Sequence, residues 1–352
     1  MNTIQSDNYP IHFDNSIAEL VKFIRQGNYS RFFILTDEHT SVHCLPALTD
    51  QLNDSDNYDL IEINAGEESK DIDFCIGIWK MLIDFSADRQ SLMVNLGGGV
   101  ISDMGGFVAS TYKRGIDFVH VPTTLLSQVD ASVGGKTGID INSIKNIIGT
   151  FTQPKAVFIA YDFLKTLPPR QILSGLAEML KHGLIADAAY WDTLKNSDLS
   201  LPAVELIYKS VEIKNKVVLE DPTERGLRKC LNFGHTIGHA VETNSLLNDK
   251  RPLTHGEAIA IGMICEAYLS HKKAGLTAPE FAEIVEVIGK LYPKYDLGRT
   301  NYQDLCTIML KDKKNQNGKI NCTLLGGIGQ CSLDHICTNE QLSESLAYYA
   351  SL

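Results

Sequence analysis

The sequence predicts an α/β fold in two parts, an N-terminal Rossmann-like domain with a mainly parallel sheet and a C-terminal all-helical domain. In the first half, short apolar runs alternate with helical periodicity, an order typical of a parallel sheet. In the second half, long amphipathic patterns follow one another. The proline pair at 168–169 ends one element and suits the start of the next. We therefore expect domains at 1–167 and 168–352.

Each predicted element has a residue pattern of its own. Runs rich in Val, Ile, Leu and Phe predict strands, and apolar residues at helical spacing over 72–85 predict a helix. The predicted strands are 31–36, 58–63, 91–96, 118–121 and 156–160. The helices predicted for the second domain lie near 171–187, 203–220, 232–244, 256–273, 277–291 and 301–311.

Composition limits the classes of function. The chain has 352 residues and a net charge of −11, which opposes general binding to nucleic acid. It has neither a basic start followed by an apolar run nor about 18 consecutive apolar residues, so we expect a cytoplasmic protein that does not enter a membrane. The eight cysteines form no Cys-x-x-Cys pair. Any metal is therefore expected to use His and carboxylate ligands.

A glycine-rich turn follows the third predicted strand. Gly97, Gly98 and Gly99 lead into a helical pattern that contains Asp103. Backbone amides at such a helix start can face a pyrophosphate, because no side chain stands in the way. The run is not the Gly-x-Gly-x-x-Gly fingerprint, so a tight turn without a ligand is an equal alternative on this pattern alone.

Four residues in the second domain are candidates to bind a metal. His235 and His239 are four apart, hence on one helix face, and the direct interpretation is that both are ligands. Glu178 lies in a Gly-Leu-Ala-Glu block and His255 in a His-Gly-Glu block. The alternative is a set of capping or hydrogen-bonded core residues, which a single histidine would favour and this combination does not.

These blocks, together with the Gly-Gly-Lys sequence that ends at Lys136, resemble the 3-dehydroquinate synthase family of the sugar phosphate cyclases. The resemblance is dense from about Leu96 to Gly262. It implies a dehydroquinate synthase-like fold, catalytic NAD and one divalent metal, Zn²⁺ or Co²⁺. The ligands that it implies are Glu178, His235 and His255, whereas His239 would face the substrate phosphate.

The resemblance also implies a set of NAD-binding residues in the first domain. Ser102 stands where the family usually has glycine, which indicates a small local change in the turn. The implied cofactor residues are Asp37, Glu67, Lys70, Gly97, Gly98, Gly99, Asp103, Thr123, Thr124, Lys136, Lys145, Phe163, Thr166 and Leu167.

Anion-binding residues are implied for the substrate, since phosphate and carboxylate groups need cationic and amide donors. Lys313 has its neighbour Lys314 as an alternative, and Arg114 would reach the phosphate across the interface of a homodimer. The implied substrate and catalytic residues are Asp130, Lys136, Asn146, Lys181, Lys214, Arg228, Asn232, His239, Arg114 and Lys313.

The activity implied by the resemblance is conversion of 3-deoxy-D-arabino-heptulosonate 7-phosphate, a phosphorylated sugar acid, to 3-dehydroquinate with loss of phosphate. Three alternatives stay open. A 2-deoxy-scyllo-inosose synthase would take glucose 6-phosphate, which has no carboxylate for Arg228 to bind. A metal-dependent polyol dehydrogenase would not need the phosphate-binding residues at 136–146. A non-catalytic binding protein would be expected to lack metal ligands, and this chain has all three.

Overall fold

In the computed structural model the chain forms two compact units, Met1–Pro168 and Pro169–Leu352. The structure describes residues 2–53, 55–141, 144–297, 300–310 and 319–352. The division falls inside the proline pair, one residue after the boundary that the sequence predicts. Among the described helices, none combines the length and the apolar character that a membrane span requires.

The N-terminal unit is built around a seven-stranded sheet. Its strands and a separate hairpin are β1 (Asn2–Gln5), β2 (Pro10–Phe13), β3 (Phe32–Asp37), β4 (Tyr58–Ile63), β5 (Leu92–Gly97), β6 (Asp117–Pro122), β7 (Lys136–Ile141), β8 (Ile144–Phe151) and β9 (Val157–Ile159). The sheet order is β1-β2-β9-β6-β5-β3-β4, and β7 pairs with β8. The β1–β2 pair is antiparallel and the other pairs of the sheet are parallel.

Helices cover both faces of this sheet, as its buried strands require. They are α1 (Ala18–Gln26), α2 (Glu38–His43), α3 (Leu45–Thr49), α4 (Ile72–Asp84) and α5 (Gly99–Thr111). Because side chains alternate along a strand, Phe32 and Ile34 enter one apolar core with α1 and α3. Phe33 and Leu35 enter a second core with α4 and α5.

The winding of the sheet reverses between β3 and β5. From β3 the chain passes first to β4 on one side and then to β5, β6 and β9 on the other. In open α/β sheets, ligands bind outside the carboxyl ends of the strands at such a reversal. Here the two strands end at Asp37 and Gly97.

The C-terminal unit is mainly helical. Its elements are α6 (Pro169–Ala186), α7 (Ala188–Lys195), α8 (Val204–Glu220), α9 (His235–Asn248), α10 (His255–Lys273), α11 (Ala278–Leu291), α12 (Tyr302–Leu310), the hairpin β10 (Ile320–Gly327) and β11 (Gln330–Cys337), and α13 (Asn339–Ser351). Helix α10 is buried along most of its length and packs against α6, α9, α11 and α13. A helix buried on all sides is apolar all round.

The predicted strands and long helices are all present, with shifts of one to three residues at most ends. The three antiparallel hairpins were not predicted, and one of them means that the C-terminal unit is not all-helical. Strand β10 packs on α10, and its residues Leu324 and Leu325 are fully buried. Residues 320–324 alternate apolar and polar, a pattern typical of a strand, which the prediction of an all-helical domain overlooked.

Candidate metal and cofactor sites

One carboxylate and two imidazoles meet inside the C-terminal unit. Glu178 lies in the middle of α6, and His235 and His255 are the first residues of α9 and α10. Oε1 of Glu178 is 3.6 Å from Nε2 of His235 and 3.8 Å from Nε2 of His255. One ligand atom from each residue lies within 4.8 Å of the others. Three segments distant in sequence therefore present donor atoms to one point.

Both imidazoles are oriented by an acceptor on the far side of the ring. Nδ1 of His235 lies 3.1 Å from the carbonyl oxygen of Phe233, and Nδ1 of His255 lies 3.3 Å from Oε2 of Glu242. An acceptor at Nδ1 keeps a proton there, so the Nε2 lone pair is the one available to a metal. Both Nε2 atoms face Glu178.

The electrostatics of this cluster favour a cation. Burial acts to lower the pKa of His255, but the carboxylates of Glu242 and Glu178 outweigh it and raise the pKa to about 9. Since a raised pKa means that positive charge on the ring is stabilised, a divalent cation at Nε2 would occupy a favourable potential. The residues present therefore fit a three-ligand site that leaves positions for substrate oxygens.

Glycine allows the helices that carry the ligands to approach one another. A Cβ on Gly256 would lie 2.1 Å from the carbonyl oxygen of Ser174 in α6. A Cβ on Gly262 would lie 1.9 Å from the carbonyl oxygen of Gly234, just before His235. Both contacts are with backbone atoms, which cannot move aside alone. Gly256 and Gly262 thus set the spacing of α10 from α6 and from the start of α9.

A bidentate ion pair fixes the first turn of α10 to the start of α6. Arg170 donates from Nε and Nη2 to the two carboxylate oxygens of Glu257, at 2.8 and 2.7 Å. Glu257 also forms a capping box with Thr254, which satisfies backbone amides at the helix start. The His-Gly-Glu block therefore contains a ligand, a close-approach glycine and a helix cap.

Helix α9 begins on a buried carboxylate. Glu266 of α10 is fully buried and accepts hydrogen bonds from the backbone amides of Gly234 and Ile237, at 2.7 and 3.1 Å. A negative charge is stabilised at a helix N-terminus. The contact holds the first turn of α9, and with it His235, against α10.

Several predicted anion-binding residues are buried near the carboxylate ligand. Lys181 donates to Oε2 of Glu178, and Glu178 lies one turn earlier on α6. Lys181, Lys214 and Arg228 are at most 5% exposed, and their segments, α6, α8 and the turn Leu227–Asn232, pack against one another. Three buried cations therefore lie on segments that pack together, and their roles toward an anionic substrate stay predictions.

Arg228 and Asn232 are held by the segment 221–224, which precedes the turn that carries them. Arg228 donates from Nη1 to the carbonyl oxygen of Pro222 at 2.7 Å, and its backbone amide donates to Asp221. Asn232 donates to Glu224 at 2.9 Å. Both side chains therefore have hydrogen-bond partners within the protein.

His239 lies beside the three-residue cluster. Its ring centroid is 5.1 Å from that of His235 and 5.8 Å from that of His255. The cluster around Glu178 combines His235 with His255, whereas His239 groups with Glu242 and His255. The geometry thus does not favour the direct interpretation, in which His235 and His239 are a ligand pair, and the role of His239 stays a prediction.

In the N-terminal unit, the predicted cofactor residues collect at the carboxyl edge of the sheet. Gly97 ends β5 and α5 begins at Gly99. A Cβ on Gly97 would lie 2.5 Å from the side chain of Ile101, so the turn is closely packed. The amide of Thr123, after β6, donates to the carbonyl oxygen of Gly97 at 3.0 Å. Thr124 exchanges hydrogen bonds with Ser127.

Other predicted cofactor residues at this edge have structural contacts of their own. Asp37 caps α2 by accepting from the amides of His39 and Thr40, at 3.0 and 2.9 Å. The turn after β9 contains Phe163, Thr166 and Leu167 at its end. Phe163 is buried, and Thr166 donates to its carbonyl oxygen. These contacts position the residues, and the cofactor roles stay predictions.

A charged cluster follows β4. Nζ of Lys70 donates to Asp103 and to Asn146, each at 2.6 Å, and Lys145 lies 3.4 Å from Glu67. Burial acts to lower the pKa of Lys70, but the neighbouring carboxylates outweigh it and raise the pKa. Burial raises the pKa of Asp103, and Lys70 opposes part of that rise. The cluster joins predicted NAD residues to the predicted phosphate ligand Asn146.

Four remaining predictions lie elsewhere. Asp130 is part of the turn Ser127–Ala131 and is half-buried, and Lys136, also half-buried, begins β7. Arg114 is exposed, with a left-handed backbone at φ 71°. Lys313 and its alternative Lys314 lie outside the described residues.

Sequence reasoning missed Arg170, Glu242 and Glu266. None lies in a glycine-flanked block, and Glu242 is 13 positions from the histidine that it contacts. A signal was present for Arg170 alone, because a basic residue at a helix start is unusual near the positive end of the helix dipole. Its partner Glu257 explains that position.

Comparison with solved structures shows which fold this is. A 2-deoxy-scyllo-inosose synthase, solved with carbaglucose-6-phosphate, NAD⁺ and Co²⁺, aligns with a TM-score of 0.86 at 23% identity over 99% of both chains. The 2-epi-5-epi-valiolone synthase of Streptomyces hygroscopicus, solved with NAD⁺ and Zn²⁺, also gives 0.86, at 24% identity over 100% of this chain and 99% of that one. The fold is that of the sugar phosphate cyclases.

Sequence comparison narrows the class. Residues 60–174 match the family described as 3-dehydroquinate synthase N-terminal, and residues 175–315 match 3-dehydroquinate synthase C-terminal. A 3-dehydroquinate synthase of Parabacteroides distasonis is 43% identical over 94% of this chain and 95% of its own. A 3-dehydroquinate synthase of Alkaliphilus metalliredigens is 38% identical over 91% of this chain and 90% of its own. The chain belongs to the 3-dehydroquinate synthase family.

Proposed function

We propose that this chain is an enzyme that converts 3-deoxy-D-arabino-heptulosonate 7-phosphate to 3-dehydroquinate and phosphate, with NAD and one Zn²⁺ or Co²⁺. The observation that carries the proposal is the cluster of Glu178, His235 and His255, with both Nε2 atoms facing the carboxylate. Family membership supports the reaction. The cluster supports the metal that the reaction uses.

The chain's residues would hold and orient the reactants. When bound, the metal would polarise substrate hydroxyl groups as a Lewis acid, and NAD would supply reversible hydride transfer. Glu178, His235 and His255 are proposed as the metal ligands, and Lys181 orients the carboxylate of Glu178. No net oxidation of the substrate is expected, so NAD is used catalytically.

Buried cations would recognise the carboxylate of the substrate, and other polar side chains would bind its phosphate. Arg228 offers a planar fork that matches a carboxylate, and Lys214 adds a second buried charge. Asn232 and His239 are proposed as phosphate ligands in this unit. From the N-terminal unit, Asp130, Lys136 and Asn146 keep the substrate roles that the family resemblance gives them.

NAD is proposed to bind at the switch between β3 and β5. The residues that support this are the glycine turn at 97–99, the neighbouring ends of β3 and β6, and the cluster of Lys70 with Asp103. Pyrophosphate would face the first turn of α5, where the cap residue Gly98 has no side chain to occupy the amides.

Two further features belong to the proposal. A cytoplasmic location is proposed from the cysteines, which are scattered along the sequence without a Cys-x-x-Cys pair, a usage that suits a reducing compartment. A homodimer is supported by the family resemblance and by Arg114, which is exposed and available to a partner. Sedimentation that shows a monomer alone at working concentration would refute the dimer.

Phosphate release tests the function. Metal-loaded protein with NAD and the sugar acid phosphate should release phosphate and form dehydroquinate, detected through a dehydroquinate dehydratase. A chelator should abolish both signals. Glucose 6-phosphate should give neither. Turnover of glucose 6-phosphate in place of the sugar acid would refute the proposal in favour of another cyclase.

Arg228→Lys provides a sharper variant for the substrate assignment. Lysine retains the positive charge but lacks the planar guanidinium that can donate two hydrogen bonds to a carboxylate. KM for the sugar acid should therefore rise, while metal content stays unchanged. Lys216→Arg, on the exposed side of α8, is the matched control and should behave as the wild type. An unchanged KM in Arg228→Lys would remove Arg228 from substrate recognition.

A further inference from the structure

We propose that Glu242 is a positioning residue of the metal site, whose carboxylate holds the Nδ1–H of His255 and so presents Nε2 to the metal. The inference rests on the proposed function, because it takes Glu178, His235 and His255 as ligands. It adds a residue that none of the sequence motifs contains.

The geometry places His255 between two carboxylates. Nε2 lies 3.8 Å from Oε1 of Glu178, and Nδ1 lies 3.3 Å from Oε2 of Glu242. The two ring nitrogens point to different sides of the imidazole, so one carboxylate faces the metal position and the other lies behind the ring. Both acids are buried, at 0 and 3% exposure.

Burial makes the contact strong enough to orient the ring. A carboxylate removed from water requires a hydrogen-bond donor, and the imidazole N–H of His255 supplies one. In return, the carboxylate fixes which nitrogen keeps the proton and the plane in which the ring lies. Carboxylates behind metal-binding histidines also make the ligating nitrogen more basic.

The two histidines of the site differ in this respect. His235 is oriented by the backbone carbonyl of Phe233, which no substitution removes. His255 is oriented by a side chain carried on a different helix, since Glu242 lies on α9 and His255 begins α10. Metal affinity should therefore depend on Glu242, and this dependence can be measured.

Glu242 can also be considered as a ligand itself. Its oxygen, His239 and His255 form a second group with ligand atoms within 4.8 Å. In that arrangement His255 would bind through the nitrogen that faces Glu242, and His239 would be essential. The first arrangement requires Glu178 and His235 instead. Substitution of His239 therefore separates a positioning role from a ligand role.

Metal affinity of the full-length protein is the test, with Zn²⁺ competed against a chromophoric chelator. Glu242→Ala should weaken affinity about 10- to 100-fold, the range found for such supporting groups. Glu242→Gln keeps an acceptor and loses the charge, so its loss should be smaller. Thr243→Ala, on the same turn of α9, is the matched control and should bind as the wild type. Co²⁺ absorption should change in Glu242→Ala and stay unchanged in the control.

The outcomes distinguish the possible failures. Equal affinity in Glu242→Ala and Thr243→Ala would refute the positioning role. Loss of metal from His239→Ala to the same degree as from Glu242→Ala would make Glu242 a ligand and also refute it. A wild-type protein that binds no metal would instead refute the proposed function. If Glu242→Ala fails to fold, as judged by thermal unfolding of metal-free protein, Glu242→Gln decides.

Discussion

Gly256→Ala should separate the start of α10 from α6 and thereby open the metal cluster. A Cβ at this position would lie 2.1 Å from the carbonyl oxygen of Ser174 and 2.5 Å from its Cα. Real Cβ atoms essentially never approach closer than 3.0 Å, so the backbones must part by about 0.9 Å. His255 is the adjacent residue and would move with the helix start. The shift is several times the roughly 0.2 Å within which metal–ligand distances are held.

The magnitude follows from this displacement. Overpacking of a fixed backbone contact costs about 1–3 kcal/mol, which lowers the thermal midpoint by about 2–4 °C for each kcal/mol in a unit of this size. A misplacement of about 1 Å at a reacting centre costs about 100-fold in rate. Zn²⁺ affinity should accordingly fall at least tenfold, and turnover with saturating metal should fall about 100-fold.

The assay compares two glycines of the same unit. Gly289 lies in α11, and nothing stands within 4 Å of a Cβ placed there. Gly289→Ala should leave metal affinity unchanged and raise stability by up to about 1 kcal/mol, because alanine favours a helix over glycine. Chelator competition and thermal unfolding are measured on both variants. Wild-type affinity and an unchanged midpoint in Gly256→Ala would show that the start of α10 accepts a Cβ against Ser174 without moving.

Three further substitutions have expected outcomes. Arg170→Lys loses the bidentate contact with Glu257, so the free energy of unfolding, measured by urea denaturation, should fall by about 1–2 kcal/mol. A change as small as that of an exposed Lys→Arg substitution would contradict this prediction. Lys70→Met leaves Asp103 without its ammonium partner, so the free energy of unfolding should fall by about 3–5 kcal/mol. NAD binding, measured by calorimetry, should also weaken. Lys80→Met in the same unit should change neither quantity. Burial lowers the pKa of His120 from 6.5 to about 3, so this side chain stays neutral in the folded state, whereas in the unfolded chain it takes up a proton below pH 6.5. The free energy of unfolding should therefore fall by about 2 kcal/mol between pH 7 and pH 5. This part of the pH dependence should be absent in His120→Asn.

Much of the fold could be predicted from local pattern. The buried strands of the parallel sheet are continuous apolar runs, such as 92–96, and the large helices of the second half have clear amphipathic spacing. The hairpins were missed for different reasons. Strands β1 and β7 are short and carry polar residues without strict alternation, so their sequences give no clear strand pattern. Strand β10 does alternate apolar and polar residues over 320–324, and the prediction of an all-helical domain overlooked that pattern.

Candidate site residues could be predicted where they lie in glycine-flanked blocks of sequence, and they were missed where they depend on tertiary contacts. Glu178, His235 and His255 are recognisable by type and by family resemblance, and the structure brings them together. The function of Gly256 is visible only once Ser174 is seen against it. Glu242 contacts His255 because α9 packs against α10, a relation that sequence spacing does not encode.

Metal content and turnover, measured on the same samples, test whether Glu178, His235 and His255 form a catalytic metal site. The wild type and two variants, His235→Ala and His239→Ala, are loaded with Zn²⁺, desalted, and assayed for bound metal and for formation of dehydroquinate from the sugar acid phosphate. We predict one metal per chain and full turnover for the wild type, neither for His235→Ala, and bound metal with reduced turnover for His239→Ala. Stoichiometric metal in His235→Ala, or dehydroquinate formation that persists in metal-free wild-type protein, would contradict the account.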